Sequence, residues 1–372
     1  MSRDSLFGET IHWSGSPSAV PLSTAVRTVM AMSAALALIA LGFATVLSTA
    51  LHVSVSGLIF FAAWCSALGL FSSRWPGFWW SRVQYAITDR HVIWRRGPIR
   101  RTIDRDSVSY AVVRWNPRAP GIGDLVLVRA VPTGALRRTL SLTLSNVVAP
   151  DRVGAIVRGL TPGASLGDGD RPLPQRLDEG ERVLWSGTPA LAPWTVHRLA
   201  TAAVALGVAL AAARLVARAV PTLRRVAHIH ALPGWSFTLF VVATAMAFVF
   251  VAGVAGWVGY AACVRPGRLA RATRYLVTNR RVLIRRGREE LSLDRHRIVD
   301  VISAPTRPGA TALVDLFLIL DGPHARAFAS SGAFRHAQTG SLLPVLLAIE
   351  DAETVGAILR RNVEADGLAT AA

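Results

Sequence analysis

Two long stretches carry no formal charge: Thr28 to Ser73 and Trp235 to Val264 contain no Asp, Glu, Lys or Arg. Each is longer than the roughly 20 apolar residues that cross a bilayer as a helix. With the apolar run before the second stretch, they predict two helical hairpins, with helices at 25–49, 55–73, 197–218 and 236–262. After Arg82 the period changes. Tyr85–Thr88, His91–Arg96, Ile99–Asp104, Val108–Trp115, Asp124–Ala130 and Leu136–Ser145 alternate and are rich in Val, Ile, Thr and aromatics, as half-buried strands are. Thr88-Asp89-Arg90, Thr278-Asn279-Arg280, Arg96-Gly97 and Arg286-Gly287 supply turns, and amphipathic helices are expected near Asp151–Gly159 and Asp351–Asn362.

The same order occurs twice. Gly8 to Pro17 and Gly180 to Pro189 agree at six of ten positions, including Trp13, Gly15 and Pro17 against Trp185, Gly187 and Pro189. The run from Tyr85 through Thr88 and Asp89 to Gly97 matches that from Tyr275 through Thr278 and Asn279 to Gly287. Ile103-Asp104-Arg105 then meets Leu293-Asp294-Arg295 at the same offset of 190, and Val153 to Arg158 pairs with Val355 to Arg360. Four blocks in one order indicate an internal duplication. The expected organisation is a W-S-G-x-P segment in 1–23, a hairpin in 24–73 and a β-rich domain in 74–160. A Gly/Pro/Asp linker in 161–179 leads to the second segment (180–190), hairpin (191–263) and domain (264–363), and 364–372 reads as a disordered tail.

These motifs resemble the bacterial membrane-anchored proteins with pleckstrin-homology-like (PH-like) domains. The resemblance rests on the W-S-G-x-P segment before a helical hairpin, the Tyr/Thr/Asp-or-Asn hairpin with its Arg-Gly turn, and the strand ending Ile/Leu-Asp-Arg. It covers both copies. It implies a membrane α+β protein: four transmembrane helices and two seven-stranded, sharply bent antiparallel barrels, each capped by a C-terminal helix. One departure is that copy one has Gly121-Ile122-Gly123-Asp124 before its fifth strand, where copy two has Leu313-Val314-Asp315.

The chain has 372 residues, 52% of them hydrophobic, and a mean hydropathy of +0.39, high for a chain without membrane spans. Its formal charge is +18, but every one of the 41 basic residues is Arg. That composition, together with Arg gathering at cytoplasmic flanks, accounts for the charge without a nucleic-acid partner. Arg near helix ends falls mostly on the proposed domain side (among them Arg27, Arg74, Arg82, Arg265, Arg268 and Arg271), against Arg218, Arg224 and Arg225 on the other, with Arg214 snorkelling. The topology expected is therefore a multi-pass plasma-membrane protein with domains and both termini cytoplasmic, and loops near His52 and Arg224 outside. Trp75, Trp79, Trp80, Trp194, Trp235 and Trp257 suit the headgroup level. The first 23 residues lack the form of a cleaved signal, so the first helix reads as an uncleaved anchor.

Chemistry-bearing motifs are sparse. Gly163-Ala164-Ser165-Leu166-Gly167 fits a hydrolase nucleophile elbow, but lies in a Pro/Gly/Asp linker instead of the strand–turn–helix that exposes the serine. His228 and His230 could share a face of an outer-loop strand, with His336 as a third partner, yet no carboxylate or cysteine completes a metal site. Cys65 and Cys263 have no ligand spacing. No Walker loop or HExxH occurs, so neither an enzyme nor a cofactor is expected. Ala203, Gly207 and Ala211, with Ala252 and Gly256, either pack helices closely or reflect alanine-rich composition. The reading is a noncatalytic membrane scaffold whose PH-like domains bind a protein partner, anionic lipid headgroups or a second copy. The alternative is an accessory subunit of a transporter or channel, which the scarcity of polar helix residues disfavours. The expected contact surface is the hairpin arginines Arg95, Arg96, Arg100 and Arg101 in copy one, and Arg285, Arg286 and Arg288 in copy two. Otherwise they simply keep the sheets soluble.

Overall fold

The computed structural model describes residues 9–19, 21–50, 54–129, 140–163, 167–190, 196–229, 234–306, 313–320 and 342–360. The chain divides into two units, one of Leu22–Trp80 and Pro193–Pro266, the other of Met1–Pro21, Ser81–Ala192 and Gly267–Ala372.

The first unit holds four helices long and apolar enough to cross a membrane: α1 (Thr24–Ala50), α2 (Ser56–Trp80), α4 (Val196–Ile229) and α5 (Gly234–Cys263). Two, α2 and α4, run well past their predicted ends of 73 and 218. α2 runs through Pro76 and α4 through Pro221, which membrane helices tolerate where local adjustments satisfy the freed carbonyls. Arg224, Arg225 and His228 are consequently helical and not in a loop, so the expected histidine-bearing strand does not form; His230 and His336 lie outside the described residues. α1 packs on α2 and α5, and α4 on α5. A Cβ on Gly42 would stand 3.3 Å from that of Ala243, marking a close approach of α1 and α5. The small residues that pack are Ala205, Ala212, Ala243 and Ala255, all buried, whereas Ala203, Gly207, Ala211 and Gly256 are exposed.

The second unit is built from fourteen described strands and the closing helices. In copy one, β1 (Ile11–Gly15), β2 (Val83–Thr88), β3 (His91–Arg96) and β4 (Ile99–Asp104) form a four-stranded antiparallel sheet in that order. β5 (Tyr110–Trp115), β6 (Ile122–Arg129) and β7 (Leu140–Val148) follow, then α3 (Pro150–Val157). Copy two repeats the order with β8 (Val183–Gly187), β9 (Thr273–Thr278), β10 (Arg281–Arg286) and β11 (Glu289–Asp294), the short α6 (Arg265–Arg271) coming just before β9. It ends in β12 (Asp300–Pro305), β13 (Val314–Ile319), β14 (Val345–Ile349) and α7 (352–360). Gly97 and Gly287 adopt φ of +57° and +62° in the two-residue turns β3–β4 and β10–β11, a conformation that costs a glycine nothing.

The described strands do not close into two separate barrels. β5 pairs with β11, with Arg114 opposite Glu289 and Ala111 opposite Ser292, so that β7-β6-β5-β11-β10-β9-β8 is one seven-stranded sheet spanning both copies; β12-β13-β14 stands as a three-stranded sheet. The core follows the pairing. Tyr110, Val112 and Val128 of copy one pack in one buried cluster with Tyr275, Val282, Ile284, Leu291, Leu316 and Val355 of copy two. Two meanders joined edge to edge satisfy a row of backbone groups that each alone would leave to water.

Candidate functional site

The W-S-G-x-P segments close on the hairpins in the same way twice. The Trp13 ring lies over Gly15 and the Trp185 ring over Gly187; a Cβ at either glycine would meet the indole at 2.7 or 2.4 Å. The motif spacing is thus a packing requirement. Both strands carry a bulge just before the tryptophan, and Trp13 and Trp185 sit opposite Ile87 and Val277. Beyond the half-buried Pro17 and Pro189, the amides of Ser18 and Ala190 donate to the carbonyls of Asn146 (2.8 Å) and Ala348 (2.9 Å), residues with left-handed φ of 55° and 49°.

The hairpin residues anchor this closure. Thr278 donates its hydroxyl to Glu181 Oε1 (2.6 Å) and accepts from the Arg281 amide (2.9 Å), while Arg281 grips Glu181 through Nε (2.9 Å) and Nη2 (2.8 Å). Burial of Glu181 opposes its ionisation, but the Arg281 hydrogen bond and charge overcome that and hold its carboxyl below the usual range. In copy one Thr88 contacts Glu9 at 2.5 Å and His91, in Arg281's place, reaches Glu9 at 2.8 Å and Asp104 at 3.2 Å. Asp89 receives the Thr10 amide (3.1 Å) and Asn279 the Arg182 amide (2.8 Å). The buried Tyr85 hydroxyl donates to the Ser145 carbonyl (3.0 Å), and that of Tyr275 accepts from the Leu347 amide (3.0 Å); burial pushes Tyr275 up to about 12. These motif residues hold the fold together.

One matching pair carries a role its sequence signal hid. Arg105 donates to the Val157 and Ile156 carbonyls at 2.6 Å each, and Arg295 to the Ile358 carbonyl at 2.5 Å. Each caps the C-terminal end of its closing helix, where a cation also suits the helix dipole.

The two arginine clusters are used differently. In copy two, Arg285 donates to the carbonyls of Gly169 and Arg171 at 2.7 Å each, Arg286 pairs with Glu289 (2.7 Å), and Arg288 donates to the Asn116 carbonyl (3.1 Å). In copy one, Arg95, Arg100 and Arg101 are exposed and Arg96 half-buried; Arg95 reaches the Gly97 carbonyl (3.2 Å) and Arg101 lies 5.7 Å over the Trp94 ring. Arg95 and Arg100 line an open hollow of about 290 Å³ floored by Ala86 and Ile93. In copy two the corresponding floor, Leu276 and Leu283, is covered by Leu173 and Leu177 of the linker.

No family model, curated protein or solved structure matches this chain.

The linker is therefore a docked strap where it is described. Arg176, 5% exposed, bridges Asp151 of α3 (2.7 Å) and Glu290 of β11 (2.6 Å) and lies 5.3 Å over the Trp115 ring, tying the two copies through a buried charge cluster. Gly169 packs against Trp115 so closely that a Cβ would fall 2.4 Å from the ring. Of the elbow-like motif, Ala164 to Leu166 lie outside the described residues, and the Gly167 amide donates to Asp151 (3.0 Å). Among the described residues no three His, Cys, Asp or Glu side chains are grouped to hold a metal ion.

Proposed function

We propose that this chain is a noncatalytic membrane scaffold, formed by duplication of a hairpin-plus-PH-like unit, whose copy-one arginine face contacts anionic lipid headgroups on the cytoplasmic side. The observation that carries the reading is the asymmetry of the two clusters. Arg285 bonds the linker, Arg286 pairs within its own hairpin and Arg288 bonds copy one, whereas Arg95, Arg100 and Arg101 occupy the matching turn and strand with their surface open to solvent. The chain also limits how far that face can stray from a bilayer, since only Ser81 and Arg82 separate α2 from β2. Within a Debye length of an anionic surface each such arginine contributes about 1 kcal/mol. A PH-like character is supported by the recurring order of four strands, then three strands, then a closing helix, with the equivalent Tyr85 and Tyr275 hydroxyls bonded to β7 and to β14.

The test places a fluorophore on Pro98→Cys, in the exposed β3–β4 turn of a chain with Cys65 and Cys263 replaced, reconstituted into nanodiscs containing headgroup-proximal brominated lipid. Quenching should rise when anionic lipid replaces neutral lipid, fall again in high salt, and vanish when Arg95, Arg96, Arg100 and Arg101 become Glu. Quenching that ignores lipid charge and salt would remove the headgroup reading.

A further inference from the structure

The join between copies uses β5 of copy one and β11 of copy two, and the repeat leaves a second, unused pair of the same kind. At the offset of 190, β4 is the counterpart of β11 and β12 the counterpart of β5, and each ends its sheet among the described strands. Such a head-to-tail interface propagates into a ring or filament if every edge can pair. Two residues stand against it. Leu291, fully buried in the join, faces Val112 across the strands; its counterpart is Arg101, exposed over Trp94. The Trp115 amide donates to the Arg288 carbonyl at 2.9 Å; its counterpart is Pro305, which has no N–H to donate. A third change agrees with these, since Arg100 replaces Glu290, the acid that receives Arg176.

We propose that β4 and β12 are the edges at which a second copy of this chain would add by the same join, and that Arg101 and Pro305 block that addition, ending the array at two units. Pairing β4 with β12 of another chain would set the Arg101 guanidinium against Ile302, where the join has Leu291 against Val112, and would leave the Pro98 carbonyl without the donor its counterpart has. Prolines and charges on edges are how sheets resist such pairing. The inference does not depend on the headgroup reading, because it concerns the strand edge and needs no lipid.

The experiment uses the full chain in native membranes with Cys65 and Cys263 replaced. One tagged copy carries Ile99→Cys and a differently tagged copy Ala304→Cys, positions equivalent to the facing Glu289 and Arg114. Under oxidation the parent chain should link the two tags no faster than a control pair with Arg90→Cys in place of Ile99→Cys. Adding Arg101→Leu and Pro305→Trp, the residues found at the paired positions, should raise the rate about tenfold or more, as a pairing free energy of about 1.4 kcal/mol would. If that double variant unfolds, Pro305→Ser, which restores the N–H with little bulk, is read instead. Rapid linking of the parent chain overturns the proposal, and so does a folded variant that links no faster than the parent.

Discussion

Arg176 offers the sharpest test of the join between copies. Its guanidinium contacts both Asp151 and Glu290, carboxylates whose side chains are only 8% and 9% exposed. Arg176→Ala leaves Asp151 without its arginine and Glu290 with Arg285 at 3.7 Å, and strips the cover from Trp115. Removing one partner of a buried charge cluster costs about 3–5 kcal/mol. For a unit of this size each kcal/mol lowers the melting temperature by roughly 2–4 °C, so the transition should fall by about 10 °C. Much of that loss is stranded charge, which a second variant isolates: Arg176→Met with Asp151→Asn and Glu290→Gln removes the charges together and should recover more than half of the drop. Differential scanning fluorimetry of the purified chain in detergent, followed at the tryptophans, measures both. A shift under 2 °C for Arg176→Ala, or a neutral triple variant no better than the single one, would refute the claim that this cluster holds the copies together.

Further outcomes follow from other contacts. Gly187→Ala drives a methyl into the Trp185 ring and should destabilise by about 1–3 kcal/mol, with Trp185→Leu in the same chain restoring part of the loss in thermal unfolding. Glu9 and Asp89 have carboxyls held below the usual range, mainly by Thr88 and Thr10 respectively. A depressed folded pKa gives stability that is present above the unfolded value near pH 4 and lost as pH falls through the folded one. Hydrogen exchange of Ile11–Gly15, corrected for intrinsic rates, should therefore stay slow down to about pH 4 and quicken below it. For topology, Val53→Cys should react with an impermeant maleimide in intact cells and Ser165→Cys only after permeabilisation; external labelling of Ser165→Cys would invert the orientation.

The helices were legible because lipid demands an unbroken apolar run, and Thr28–Ser73 declares one outright. Their ends were not, since an α-helix satisfies its own backbone and so continues through polar residues such as Arg224 and Arg225. The hairpins were legible from Thr88-Asp89 and Arg96-Gly97, where local turn chemistry decides. Which edge β5 chooses is a contact between distant parts of the chain, and nothing in Tyr110–Trp115 names Glu289–Asp294 as its neighbour. The arginines of copy two misled for a related reason: Arg285 and Arg95 read alike in sequence, and only the docking of Gly169 and Arg171 separates an internal strut from a surface group. The strap itself hid behind linker composition, although Leu173, Arg176 and Leu177 at their spacing were the signal of a buried face.

Strand β5 waits a long time for its partner. Arg114 and Glu289 lie roughly 175 residues apart, and the intervening chain includes two more long apolar helices, α4 and α5, made before β11. At about 5–20 residues per second of synthesis, the first half spends roughly 10 to 35 s on the ribosome with that edge uncovered. An uncovered strand edge of this kind is a template for pairing with other chains, and a stop codon between the copies leaves a product without β11 to finish its sheet.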